Sequence, residues 1–145
     1  MAGRVLLVAA SPELTGDVEK ATEGTGITVY SAQDQLEAIL FLDRESCDVV
    51  LLSVQGRGPE ELAVCRVVRR SWDVGIMLLL QPSAKLDAVL GYQMGADGYM
   101  NVPFDSRELA ARLQGMVRRV QITREAEMGR DDAPAAGRLQ QARGG

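Results

Sequence analysis

Five apolar runs, each followed by a stretch of helical periodicity, constrain this chain more than anything else in it. The runs are RVLLVA (Arg4–Ala9), ITVYS (Ile27–Ser31), DVVLLS (Asp48–Ser53), GIMLLL (Gly75–Leu80) and GYMN (Gly98–Asn101). The third and fourth are apolar without interruption, as expected of strands covered on both faces, whereas ITVYS alternates. Between the runs, apolar residues recur at helical spacing. The stripes are Leu14, Val18 and Ala21; Leu36, Ile39 and Leu40; Leu62, Cys65 and Val68; and finally Leu109, Leu113 and Met116. Regular alternation of this kind predicts an α/β fold, a parallel sheet between helical layers with right-handed crossovers.

Punctuation fixes the elements more closely. Ser11 and Pro12 supply an N-cap and a first-turn proline, and Gly24 and Gly26 close the first helix. The second helix is expected over Gln33–Glu45, and Pro59 opens the third. The fourth spans Ala84–Met94 and ends at Gly95, and the last runs Ser106–Val120. Beyond Gln121 the chain loses its apolar stripe and becomes rich in Ala, Gly, Arg and Asp. Its four basic and four acidic residues do not make a basic arm. The expected organisation is one domain over 1–121 followed by a linker or flexible tail over 122–145.

Composition excludes several functions. A formal net charge of −4 argues against nucleic-acid binding through this chain itself. There is no histidine, hence no imidazole base, ligand or phosphohistidine relay. Cys47 and Cys65 lie far apart without a C-x-x-C spacing, which fits two packed thiols in a reducing cytoplasm. The MAGRVLLVAAS start has an apolar run of only about six residues, too short for a signal peptide, and no run is long enough to span a membrane.

The stretches RVLLVAASPEL, DVVLLSV, GADGYMNVPFDSRELAARL and the closing VRR carry a resemblance. From Arg4 to Gln121 the chain resembles a receiver domain of two-component response regulators, most closely the winged-helix subfamily. The GAD-x-Y-x-x-x-PF segment and the E-L-x-A-R helix after it are the most specific part. The resemblance implies a doubly wound (βα)5 sheet of flavodoxin-like order 2-1-3-4-5. It also implies phosphoryl transfer to an aspartate after strand three, with Mg²⁺ held by that aspartate and an acidic pair after strand one. A lysine before Pro-Phe, a Ser or Thr after strand four and an aromatic on strand five complete the set.

Laid on this sequence, the set is almost absent. The acidic pair falls on Ala9 and Ala10, the acceptor on Ser53, the switch hydroxyl on Leu80 and the lysine on Val102; only the switch aromatic survives, as Tyr99. Without carboxylates a hard cation has no anionic ligand, and a serine hydroxyl without a base is a poor nucleophile. No cofactor, metal or enzymatic activity is expected. Ser53 reads as a small polar residue satisfied at a strand end. The QGRGPEE loop (Gln55–Glu61) lacks the G-K-[ST] ending of a phosphate cradle. Loss of the acids would still leave a neutral or positive pocket near Arg57 for a small effector, walled by Leu80 and Val102 unless these collapse inward.

By the same resemblance, the fourth helix, fifth strand and fifth helix form a homodimer face. Its apolar positions are Val89, Tyr92 and Ala110. Asp97 and Arg112 keep one charged pair, Glu108 faces Ala88, and Gln93 meets Gln114. The expected function is a phosphorylation-independent pseudo-receiver, a regulatory and dimerisation module in cytoplasmic signalling or transcription control. A small-effector sensor and a stand-alone protein–protein adaptor are the alternatives.

Overall fold

A computed structural model of the 145-residue chain describes residues 2–84 and 88–131, with the backbone alone at 88, 89 and 129–131. Five parallel strands form one sheet in the order β2-β1-β3-β4-β5: β1 (Gly3–Val8), β2 (Ile27–Ala32), β3 (Val49–Val54), β4 (Gly75–Leu80) and β5 (Gly98–Asn101). The helices are α1 (Pro12–Ala21), α2 (Gln35–Arg44), α3 (Ala63–Ser71), α4 (Ala88–Gln93) and α5 (Ser106–Asp131). A 3-10 turn, Pro59–Leu62, leads into α3. This is the parallel α/β sheet that the alternation predicted, in the doubly wound, flavodoxin-like order that the resemblance implied.

Strand alternation divides the core into two layers. Leu6, Val50, Leu52, Ile76 and Leu78 face Leu42, Val64, Cys65 and Val68 on the α2–α3 side. Val5, Leu7, Leu51, Met77 and Leu79 face Leu14, Val18, Leu109, Leu113 and Val117 on the α1–α5 side. Burial of such side chains supplies roughly 1.5–3 kcal/mol each before chain entropy is subtracted. Helix α5 lies close on the sheet because β4 begins with Gly75, where a Cβ would come within 2.7 Å of the Met116 side chain.

The first helix starts as its sequence dictates, with Ser11 Oγ accepting from the Leu14 amide at 3.1 Å and Pro12 in the first turn. The second departs from expectation. Asp34 caps it, Ala38 and Leu42 are its buried residues, and Leu36 and Leu40 are 68% and 49% exposed. Six of its ten residues are apolar, so periodicity alone did not choose the inward face.

The fourth helix is described over Ala88–Gln93; residues 85–87 of its expected span lie outside the described residues. The expected end of the last helix at Val120 is also corrected. Helix α5 continues to Asp131, past the Gln121 boundary. The continuation is tethered: Arg124 donates to the Cys47 and Asp73 carbonyls, each at 2.6 Å, and to Asp48 Oδ1 at 2.9 Å. Residues 132–145 of the expected tail lie outside the described residues. Among the described residues, no helix is long and apolar enough to cross a membrane.

Candidate functional site

The sheet places the exits of β1, β3 and β4 side by side at its C-terminal edge, the position where α/β sheets bind ligands. Ala9 turns the chain out of β1 with φ +65°, held there by its amide donating to the Ala32 carbonyl at 2.9 Å. A left-handed alanine costs about 1–2 kcal/mol relative to an ordinary conformation, so this exit is fixed against local preference. Ala9 and Ala10 are half-buried methyl groups there, and Ala10 packs on the α1–α5 core.

Ser53 is 2% exposed, and its Oγ accepts from Gln81 Nε2 at 3.3 Å. Its side-chain partner is therefore a glutamine at the exit of β4. Two methyls and an occupied hydroxyl do not fit a hard divalent cation, which requires several oxygen ligands. Among the described residues, no three His, Cys, Asp or Glu side chains converge to hold a metal ion. Leu80 is buried in the α2–α3 layer, whereas Val102 packs half-buried against the opposite layer. The pair therefore does not make a common apolar wall, although the Val102 amide donates to the Leu80 carbonyl at 2.8 Å.

The loop after β3 is more organised than its motif implied. The amides of Gln55, Gly56 and Arg57 donate to the Glu61 carboxylate at 2.8, 2.7 and 2.7 Å. Gly56 and Gly58 take φ of +90° and +126°, which bends the amides toward one point. The Arg57 side chain is exposed. An oxyanion cradle is thus present and filled by the chain's own carboxylate, a closure that the missing G-K-[ST] ending concealed.

The third region is the face of α4, β5 and α5. Tyr92 is 50% exposed and meets the Tyr99 ring edge-on, with centroids 6.4 Å apart. Beside them a groove of about 410 Å³ is lined by Tyr92, Tyr99, Pro103, Phe104, Glu108 and Arg112. Arg112 donates to the Tyr99 carbonyl at 2.7 Å and pairs with Glu108 at 3.6 Å. Gln93 is exposed, Ala110 half-buried, and Gln114 reaches the Thr25 carbonyl at 3.5 Å. The side chains of Ala88 and Val89 lie outside the described residues. Asp97 has partners within the chain: its Oδ2 accepts from Arg69 and from the Ile76 amide at 2.8 Å. Arg69 also holds the Gly95 and Val74 carbonyls, so Asp97 ties the turn after α4 to the end of α3.

No family model matches the chain. Among solved structures, a response regulator from Thermotoga maritima is 28% identical, with a TM-score of 0.73 over 81% of this chain and 99% of that one. The receiver domain of the TMAO respiratory system response regulator TorR is 26% identical, with a TM-score of 0.71 over 81% and 98%. Its structural neighbours are response-regulator receiver domains. An orphan response regulator of H. pylori shares the fold at 20% identity, with a TM-score of 0.69 over 81% and 99%. Ala9 and Ala10 directly follow β1, Ser53 is the penultimate residue of β3, and Tyr99 lies on β5.

Proposed function

We propose that this receiver-fold chain is a phosphorylation-independent regulatory module of a cytoplasmic signalling or transcription-control protein, acting by protein–protein association. The observation that carries the reading is the state of Ser53: buried, bonded to Gln81, and flanked by Ala9 and Ala10 where a phosphoryl-transfer site needs carboxylates. Among the described residues, that arrangement offers neither an acidic acceptor nor a metal cage. Input by phosphorylation is therefore replaced by a fixed resting state.

The association surface is the face of α4, β5 and α5, with a second copy of the chain as its first partner. Support comes from the half-exposed Tyr92 beside Tyr99, bordered by Glu108 and Arg112, a large aromatic with a polar rim. Ala110 completes the apolar centre in this reading. Arg112 approaching Asp97 of the second copy adds a pair at the rim, and such exposed pairs contribute only about 0–1 kcal/mol.

The test is intact-mass measurement after incubation with Mg²⁺ and a small phosphodonor. An unchanged mass is expected; a phosphoryl adduct on the folded protein would overturn the reading.

A further inference from the structure

The Glu61 cradle does more than close its own loop. The Gln55 carbonyl, next to the first of the three bonded amides, accepts from Ser83 Oγ at 2.9 Å. Gly56 packs so tightly on the following loop that a Cβ there would stand 2.9 Å from Ala84 Cα and from the Ser83 carbonyl. One residue further in, the Gln81 amide donates to the Val54 carbonyl at 2.9 Å. On the other side, Gln35 of α2 donates its side-chain amide to the Glu60 and Glu61 carbonyls at 3.1 and 3.0 Å. Glu61 thus sits in the middle of a chain of contacts from α2, through the loop after β3, to the loop after β4.

We propose that the Glu61 carboxylate is a built-in latch, an internal anion that holds the loop after β3 in the one shape able to dock on Ser83 and Ala84. Three amides converging on one point in a positive-φ loop repel one another unless an anion sits among them. Here that anion is tethered four residues beyond the last donor, so its local concentration is high and the cradle stays filled. With the cradle filled, the Gln55 carbonyl and the flat face of Gly56 are presented to the second loop. With it empty, both are released. Glu61 is a positioning residue, acting on the second loop only through the first. The latch concerns these two loops whether or not the Tyr92 face self-associates.

Nuclear magnetic resonance of Glu61→Ala, Glu61→Gln and Ser83→Ala tests the latch, with circular dichroism confirming the fold. In the unmodified protein the Gln55, Gly56 and Arg57 amide protons are expected downfield, as donors to a carboxylate. Glu61→Ala should move all three upfield and speed exchange at Gln81 and Ala84 at least about tenfold, the effect of losing a charged hydrogen bond that holds a local structure closed. Excess acetate should restore both signals in Glu61→Ala, and Glu61→Gln should fall between. Ser83→Ala should free Gln81 and Ala84 while leaving the three cradle amides in place, which fixes the direction of the coupling. Should Glu61→Ala disturb only residues 55–57, with Gln81 and Ala84 exchanging as before, the latch is overturned. Failure of acetate to restore the Ala84 signal would overturn it as well.

Discussion

Gln81 donates its side-chain amide to Ser53 Oγ across 3.3 Å, adding a side-chain link between the exits of β3 and β4 to the backbone bond from the Gln81 amide to the Val54 carbonyl. The hydroxyl at the acceptor position is therefore satisfied in place and almost without solvent. Replacing it by the acidic residue of a working receiver does not restore the chemistry. Ser53→Asp would place a carboxylate at a 2% exposed position with one amide to answer it. The expected cost is about 2–4 kcal/mol in urea denaturation, with no phosphoryl adduct by intact mass.

A second prediction concerns the continuation of α5. Arg124 sits on the Asp48 carboxylate, whose side chain is only 9% exposed. Asp48 Oδ2 also accepts from the Arg4 amide at 2.8 Å, so removal of the arginine leaves the acid partly answered. Arg124→Ala should cost about 2 kcal/mol, below the range for a fully buried pair because the arginine is partly solvated. Amide exchange over residues 122–131 should rise together with that loss, since the same side chain ties the helix to the Cys47 and Asp73 carbonyls.

The central strands were legible because burial on both faces leaves an unbroken apolar signature, and β3 and β4 fall where DVVLLS and GIMLLL lie. What the sequence could not display were contacts closed by distant partners. Arg124 reads as one charge in a polar tail until Asp48, 76 positions earlier, is brought beneath it. Glu61 reads as a solvated acid until the two glycines fold the loop back onto it. Asp97 reads as an interface charge, and it is exposed, but its bonds to Arg69 and the Ile76 amide come from partners 28 and 21 positions away. The site residues were legible as absences: Ala9, Ala10 and Ser53 declare missing carboxylates in any conformation.

The cysteines predict an alkaline limit to stability. Burial pushes the Cys47 and Cys65 thiols up from 9.0 to about 11, against a smaller opposing effect of the Val49 backbone on Cys47 and of Arg69 on Cys65. The folded chain holds both as neutral thiols while the unfolded chain ionises them near 9.0. Their contribution is complete below about pH 9 and is lost as the pH rises through about 11. Urea midpoints measured from pH 8 to 11 should fall over that window. Replacing both cysteines by alanine should flatten the fall, and thiol reagents at pH 8 should label the folded protein slowly.

Tyr92 separates the fold from the interface. Half of it is exposed, so Tyr92→Asp should change folding stability by less than about 1 kcal/mol. In the proposed dimer the same change buries an unpaired charge at the apolar centre and should weaken self-association at least about a hundredfold. Asp97→Ala should behave in the opposite way. It removes the bonds to Arg69 and the Ile76 amide, so its main effect is expected in the urea midpoint.

Sedimentation velocity on the unmodified chain, before and after incubation with Mg²⁺ and acetyl phosphate, tests the central claim most directly. A resting state that already presents the Tyr92 face predicts a dimer at micromolar concentration, with the same sedimentation coefficient under both conditions. A monomer that dimerises only after the phosphodonor is added would contradict it.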